Sequence, residues 1–138
     1  MALPSWIWTF KCYCKPSNGA VGADVIDEWY KLQDEEVQGE IDATLEFFQN
    51  RPNAEWRRPK FDTLTGQACQ GLREIRISAA SGVYRIFGCF GPARQEFTLL
   101  IGFQKKRESD TERNCKIAQP RKREVDDDET RARKCIFP

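Results

Sequence analysis

The sequence predicts an α+β fold in which an N-terminal strand, a helical hairpin, a three-stranded antiparallel meander and a C-terminal helix follow one another. Three observations support it: an alternating aromatic run, two runs with helical spacing, and three apolar runs separated by turn residues. A chain of 138 residues fits one domain. We expect this domain to cover residues 1–125 and a polar, solvated tail to cover residues 126–138, of which residues 135–138 could dock locally.

The first strand is predicted from a period-two pattern near the N-terminus. Its alternate positions hold Trp6, Trp8, Phe10 and Cys12. Side chains on one face of a strand recur every second residue, and aromatic residues favour strands. A cluster of turn-forming residues at positions 16–19 predicts where the strand ends.

Two amphipathic helices are predicted next. The inward-facing positions of the first are Val25, Trp29 and Leu32, and those of the second are Val37, Ile41, Leu45 and Phe48. Their spacing follows the helical period. Asp34 precedes the second helix and is a suitable N-cap.

Three strands and a final helix complete the predicted fold. An ordered connecting loop covers residues 51–71, the strands cover 72–77, 83–90 and 97–103, and the helix covers 111–125. Turns at residues 81–82 and 91–92 make the strands an antiparallel meander. Cys115 and Ala118 are spaced to face inward from the helix, which Pro120 interrupts.

The composition excludes several classes of protein. No apolar run approaches the roughly 20 residues of a membrane-spanning helix, and no basic segment precedes an apolar one at the start, so we expect a cytoplasmic protein without a signal peptide. The chain has no histidine. Serine and cysteine hydrolases that use histidine, and ribonucleases with paired histidines, are therefore excluded.

The six cysteines are expected to be reduced thiols. A chain that builds its own core does not depend on disulfides for stability. Cys12 and Cys14 are close in sequence, but one pair without histidine or a second pair is a poor zinc signature. We therefore expect neither a metal nor a cofactor.

Charge is distributed unevenly along the chain although its net value is +1. Residues 1–50 contain 3 basic and 9 acidic residues, residues 51–107 contain 11 and 4, and residues 108–138 contain 8 and 8. The middle block is where a polyanion would bind. The alternative is that these lysines and arginines only solvate surface strands and loops.

Strand alternation predicts where some of these cations project. Arg85 points away from Tyr84 and its other neighbour, and Arg76 has the same relation to its own neighbours. If the two strands pair in a suitable register, both arginines share a face, and residues 105–107 enter from the next strand. Such a face suits a phosphate. Alternatively, each arginine pairs with a helix carboxylate.

Several segments together resemble a known family. Residues 72–77, 82–87 and 99–106, followed by a helix containing Ala118, resemble the phage-derived HigB-like branch of the RelE/ParE toxin superfamily. The likeness also takes in the first strand and the helical hairpin, and so covers roughly residues 6–125. The order of these motifs is more specific than any one of them.

The resemblance implies a RelE-like fold, with two helices against an antiparallel sheet, and the role of a toxin in a toxin–antitoxin pair. Many relatives cleave mRNA on the ribosome and are neutralised by an antitoxin with a DNA-binding helix-turn-helix domain. Carried over residue by residue, the strand arginine falls on Arg85, the preceding basic residue on Arg76, and the basic cluster on Lys105 and Lys106.

Cleavage of RNA without a metal requires a base for the 2′-hydroxyl, positive charge at the phosphate and an acid for the 5′-oxygen. Lysine in a crowd of like charges is a candidate for proton transfer. The hypothesis assigns this role to Lys105 or Lys106 and the phosphate to Arg85 and Arg76. Further RNA contacts are assigned to Arg73, Arg107 and Tyr84. For Glu74, an ion pair with these arginines is preferred over a role as general base.

A binding protein of the same fold is the alternative function. It is either a ParE-like inhibitor of a topoisomerase or a degenerate toxin that only binds its antitoxin. The missing histidine and the near-neutral net charge favour this alternative. The retained Arg76, Arg85 and Lys105–Lys106 set favours the nuclease.

Overall fold

A computed structural model describes residues 7–16 and 22–137, and its main elements in these residues are three α-helices and six strands. They are β1 Thr9–Tyr13, α1 Val25–Lys31, α2 Glu35–Gln49, β2 Phe61–Thr63, β3 Arg73–Ala79, β4 Gly82–Phe90, β5 Glu96–Lys105, α3 Ser109–Asp127 and β6 Ala132–Lys134. The predicted position of Trp6 in the first strand and the turn at residues 17–19 lie outside the described residues. The predicted α+β fold class is confirmed.

The strands form one sheet in the order β2-β3-β4-β5-β1-β6. β3, β4 and β5 are the predicted antiparallel meander. Gly82 lies at the β3–β4 turn and Gly91 at the β4–β5 turn, and their positive φ angles of 143° and 112° suit glycine. β1 lies beside β5 and runs parallel to it, with Phe10 opposite Phe97. The two outermost strands, β2 and β6, have three residues each.

Helices cover both faces of the sheet. On one face, Ile41 and Phe48 of α2 pack with Ile75 and Ile86 of the sheet. On the other face, α3 packs against β4 and β5, and Cys115 lies in the same apolar cluster as Phe87. Burial of each large apolar side chain contributes about 1.5–3 kcal/mol. The sheet is therefore the middle layer between α1–α2 and α3.

The helix ends follow the local sequence. Asp34 caps α2 as predicted, since its Oδ1 accepts a hydrogen bond of 2.9 Å from the Val37 N–H. Asp24 caps α1 in the same way. Leu32, predicted to face inward, is 84% exposed because α1 ends at Lys31 and Leu32 is its C-cap.

The last helix is longer than predicted. α3 runs from Ser109 to Asp127 and contains Pro120. Cys115 and Ala118 are fully buried, as their spacing predicts. None of the helices in residues 7–16 and 22–137 has an apolar stretch long enough to cross a membrane.

The segment after α3 contains a strand, β6, where the sequence predicts a solvated tail, and its end docks locally, which the sequence interpretation allowed. β6 pairs antiparallel with β1, with Lys134 opposite Lys11. The Phe137 ring then stacks on Tyr30 of α1, with 4.1 Å between ring centroids and 8° between planes. Three-residue strands carry too little alternation to be recognised, so tertiary pairing places this one.

The expectation of reduced thiols is wrong for four of the six cysteines. Cys12 is bonded to Cys135, and Cys69 to Cys115, with Cα atoms 5.1 Å apart in each pair. The first bond forms because the pairing of β1 with β6 brings residues 123 positions apart into contact. Cys14 and Cys89 are buried free thiols.

Candidate functional site

The register of the meander brings the two predicted arginines together. Arg76 on β3 lies opposite Arg85 on β4, and Arg85 lies opposite Phe103 on β5. Lys105 lies opposite Val83 and is therefore a diagonal neighbour of Arg85 on the same sheet face. This is the face that α3 covers in part.

Glu74 lies between the two arginines. Its Oε1 is 2.5 Å from the Arg76 Nε and 3.3 Å from the Arg85 Nε. Glu74 is 7% exposed, while the side chains of Arg76 and Arg85 are 34% and 15% exposed. The ion-pair interpretation of Glu74 is confirmed, whereas the pairing of these arginines with helix carboxylates is wrong.

A second carboxylate extends the cluster to the sheet edge. Asp62 of β2 lies opposite Glu74, and its Oδ2 is 3.2 Å from the Arg76 Nη2 and 2.9 Å from the Arg58 Nε. We call Arg58, Asp62, Arg76, Glu74 and Arg85 the arginine network. With three cations and two carboxylates it keeps one net positive charge.

The charges of the network alter each other's titration. Burial lowers the pKa of Arg85, the Glu74 charge raises it and the Arg76 charge lowers it, and the net shift is downward. For Asp62, partial desolvation raises the pKa, but the hydrogen bonds from Arg58 and the Thr63 N–H, with the positive charges nearby, lower it overall. Asp62 is thus held as a carboxylate beside Arg76.

The basic cluster at the end of β5 is divided by the structure. The Lys105 side chain is 23% exposed, and its Nζ is 3.9 Å from Glu108 Oε1. Lys106 and Arg107 follow the strand, are exposed, and donate their backbone N–H groups to Asp110 Oδ2 at 2.8 and 3.0 Å. Lys105 therefore lies on the same sheet face as Arg76 and Arg85, whereas Lys106 and Arg107 form the turn into α3.

The other predicted RNA contacts lie elsewhere. Tyr84 is 5% exposed, belongs to the apolar layer under α2, and has its hydroxyl 2.7 Å from Ser81 Oγ. Arg73 shares the strand parity of Ile75, and its Cζ lies 5.7 Å from the Phe90 ring centroid. Strand alternation places Arg76 and Arg85 on one face of the sheet and Arg73 and Tyr84 on the other. Arg73 and Tyr84 are therefore not part of the proposal below.

The sequence interpretation missed Arg58 and Asp62. Both lie in the segment treated as a loop, and only the pairing of β2 with β3 places them beside Arg76. No local pattern indicates a three-residue strand. Within residues 7–16 and 22–137, no group of three or more histidine, cysteine or acidic side chains is arranged to hold a metal ion.

Comparison with known proteins identifies a family. Residues 28–123, from α1 into α3, match the family model described as phage derived protein Gp49-like (DUF891). No curated protein and no solved structure matches the chain. The match covers the second half of α1, all of α2, the meander and the whole arginine network. The chain belongs to the family of Gp49-like phage-derived proteins.

Proposed function

We propose that this protein is the toxin of a toxin–antitoxin pair and that it cleaves mRNA on the ribosome without a metal ion. Membership of the Gp49-like phage-derived family is consistent with a toxin. The observation that supports the reaction is the convergence of the Arg76 and Arg85 guanidinium groups on one Glu74 oxygen, with Lys105 on the same face.

The two arginines supply positive charge for a phosphodiester. Guanidinium groups offer planar, forked donors that match phosphate oxygens. Arg85 uses its Nη1 on the Tyr84 carbonyl and its Nε faces Glu74, so its orientation is fixed before RNA binds. A fixed cation at the phosphate stabilises the extra negative charge of the phosphorane.

Glu74 and Lys105 supply the proton transfers. Both ion pairs of Glu74 use Oε1, which leaves Oε2 to accept the proton of the 2′-hydroxyl. The 2′-oxygen then attacks phosphorus, the bond to the 5′-oxygen breaks, and the Lys105 ammonium gives its proton to that oxygen. The products are a 2′,3′-cyclic phosphate and a 5′-hydroxyl.

An antitoxin with a helix-turn-helix domain is the proposed protein partner. Because the arginine network keeps a net positive charge, an antitoxin segment that places a carboxylate against Arg85 neutralises the site by the same contacts as a phosphate.

Primer extension on mRNA from a purified translation reaction tests the activity. Arg85→Ala should abolish ribosome-dependent cleavage while the protein remains folded, and Glu74→Gln should slow cleavage by about 10²–10⁴-fold, the usual contribution of a general base. Arg94→Ala is the matched control, since Arg94 is an exposed arginine in the turn at the far end of β4. It should cleave like the unmodified protein.

Unchanged cleavage by Arg85→Ala would contradict the proposed site. Full activity of Glu74→Gln with loss in Arg85→Ala would leave Glu74 as a positioning residue only. If the protein inhibits growth but cuts no mRNA, while DNA supercoiling changes, the alternative of a topoisomerase inhibitor is favoured.

A further inference from the structure

A second cationic surface lies on residues 51–60, between α2 and β2. A cavity of about 210 Å³ there is lined by Phe47 of α2 and, among others, by Arg51, Arg57 and Lys60. A second cavity of about 340 Å³ shares Arg57 with it. We call these two cavities together the basic groove.

Most cations of the groove are not neutralised. Residues 51–60 contain four basic residues and one acidic residue. Within the described part of the chain, Arg51, Arg57 and Lys60 form no ion pair with a carboxylate, in contrast to Arg58, which binds Asp62. Arg57 and Lys60 are also exposed. An external anion is therefore the available counter-charge.

Two of these cations are held over one aromatic ring. The Arg51 Cζ is 3.8 Å and the Lys60 Nζ 4.6 Å from the centroid of the Phe47 ring. A cation above an aromatic face is attracted by the ring quadrupole. The ring thus gathers two like charges into one cavity, which favours an anionic occupant.

Hydrogen bonds to α2 and β3 hold the backbone of residues 51–60 in place. Trp56 is 5% exposed, and its indole Nε1–H lies 3.0 Å from the Phe48 carbonyl and 3.2 Å from the Arg51 carbonyl. The Arg76 N–H donates to the Lys60 carbonyl at 2.8 Å, which ties the end of the segment to β3. The exposed cations thus project from a fixed backbone, which reduces the entropy lost when a ligand binds.

The groove continues into the arginine network. Arg58 lines both cavities and binds Asp62, which in turn binds Arg76. From β2 to β5 the sheet spans three strand spacings, or roughly 14 Å. Arg58 therefore connects the groove to the arginine network at the β2 edge of the sheet, and the span from there to Lys105 suits several backbone phosphates rather than one.

We infer that the basic groove binds the sugar–phosphate backbone of RNA, next to the phosphodiester held by Arg76 and Arg85. This inference rests on the proposed function, because RNA is expected in the groove only if the neighbouring arginine network binds an RNA phosphodiester. An acidic protein segment is the competing occupant. RNA is favoured because Arg58 joins the unpaired cations of the groove to the arginine network, and a strand with repeated phosphates can contact both at once.

Binding of a labelled single-stranded oligouridine, measured by fluorescence anisotropy over a series of salt concentrations, tests the inference. The variant is Arg57→Ala with Lys60→Ala, which removes two exposed cations without an ion pair. The matched control is Lys15→Ala with Lys134→Ala, two exposed cations at the β1–β6 end of the sheet, also without an ion pair in the described residues. Circular dichroism checks that both fold.

Each lost phosphate contact reduces the salt slope of single-strand binding by about 0.7. The groove variant should therefore lose about 1.4 from that slope and bind about tenfold more weakly at physiological salt, and the control should not. Co-sedimentation with ribosomes separates two RNA sources. Loss of oligouridine binding supports binding of the substrate strand, whereas loss of ribosome binding alone assigns the groove to ribosomal RNA and contradicts its placement beside the cleaved phosphodiester.

Equal effects of the two double variants, or no effect of either on any RNA, would overturn the inference. So would unchanged RNA binding together with lost binding to an acidic antitoxin segment. Cleavage of mRNA is measured separately. If the protein cuts no mRNA but its RNA binding depends on the groove, the proposed nuclease activity is contradicted and the RNA-binding groove is supported. If the groove variant cleaves mRNA and binds RNA like the unmodified protein, the groove is contradicted and the nuclease activity is supported.

Discussion

The Glu74 carboxylate holds the Arg76 and Arg85 side chains in place by ion pairs. Glu74 is almost completely buried and touches two guanidinium groups, so replacing it with an apolar residue leaves two like charges facing each other. Breaking a buried ion pair by removing one partner costs about 3–5 kcal/mol. This is why Glu74→Gln, which keeps the shape and a hydrogen-bonding oxygen, is a better test of chemistry than Glu74→Ala.

Tyr13 gives a residue-scale prediction of pH dependence. Its hydroxyl donates to Glu124 Oε2 at 2.5 Å. Burial, followed by the hydrogen bond and the charge of Glu124, raises the pKa of Tyr13 from 10.0 to about 12. A raised pKa means that the contribution to stability is complete below about pH 10 and is lost as the pH rises towards 12.

Tyr13→Phe should therefore be less stable than the unmodified protein at neutral pH, by about 1.5–3 kcal/mol for a hydrogen bond to a charged group. The difference should close between about pH 10 and pH 12, because the unmodified protein alone loses this contribution. Urea denaturation at a series of pH values measures it. Parallel stability curves for the two proteins would contradict the assignment.

At the site, the sequence predicts the residues that depend on alternation and misses those that depend on pairing. Arg76 and Arg85 share a face because each sits between apolar neighbours on its strand. Arg58 and Asp62 enter through the β2–β3 pairing, which no local pattern announces. The RNA contact assigned to Tyr84 does not follow from this alternation, because its strand position places its ring on the other face of the sheet.

Between elements, the close approach of α1 to β5 depends on one glycine. A Cβ built on Gly102 would lie 2.4 Å from the Trp29 Cε3 on α1. No rotation of a methyl group relieves such a contact, so the Trp29 ring or the helix that carries it must move away from the strand. The sequence gives no sign of this packing, since Gly102 reads as a break in an apolar run.

Gly102→Ala should destabilise the protein by about 1–3 kcal/mol, the usual cost of overpacking a core. Gly39→Ala is the matched control: a Cβ there meets nothing within 4 Å, and Gly39 lies inside α2. It should stabilise the protein by about 0.5–1 kcal/mol, because alanine favours a helix more than glycine does. Urea midpoints that move in the same direction for both variants would contradict this account.

Elements with a long periodic signal are those that the sequence predicts. The helix over Glu35–Gln49 has four inward positions and a capping aspartate, and each meander strand is at least seven residues long. β2 and β6 have three residues each, too few to show a period. Their positions follow from contacts distant in sequence, which a local pattern does not contain.

Across the whole molecule, charge is separated by layer. The acidic surplus of residues 1–50 lies mostly in the α1–α2 segment on one face of the sheet, while the basic middle block supplies β2–β5 and the groove. A molecule with one acidic and one basic side orients a polyanion before contact. The near-neutral net charge therefore conceals a basic region in the middle of the chain, which agrees with the proposed binding of RNA.

The two ends of the described chain are joined in the same sheet. β1 lies between β5 and β6, and the Cys12–Cys135 bond closes a loop across 123 positions, while Cys69–Cys115 closes 46. In the chain-entropy account, loops of these lengths contribute roughly 5 and 4 kcal/mol to stability. The disulfides thus act on the whole fold, the first by holding β6 in the sheet and the second by tying α3 to the connection between β2 and β3.

Thiol counting and denaturation test this arrangement together. Alkylation of the unfolded, unreduced protein should modify the two free thiols, Cys14 and Cys89, and alkylation after reduction should modify all six cysteines. Reduction should lower the free energy of unfolding by several kcal/mol, since the unfolded chain regains the freedom of both loops. Six modified thiols before reduction, or equal stability in both states, would show that the sheet holds its terminal strand by packing and hydrogen bonds alone.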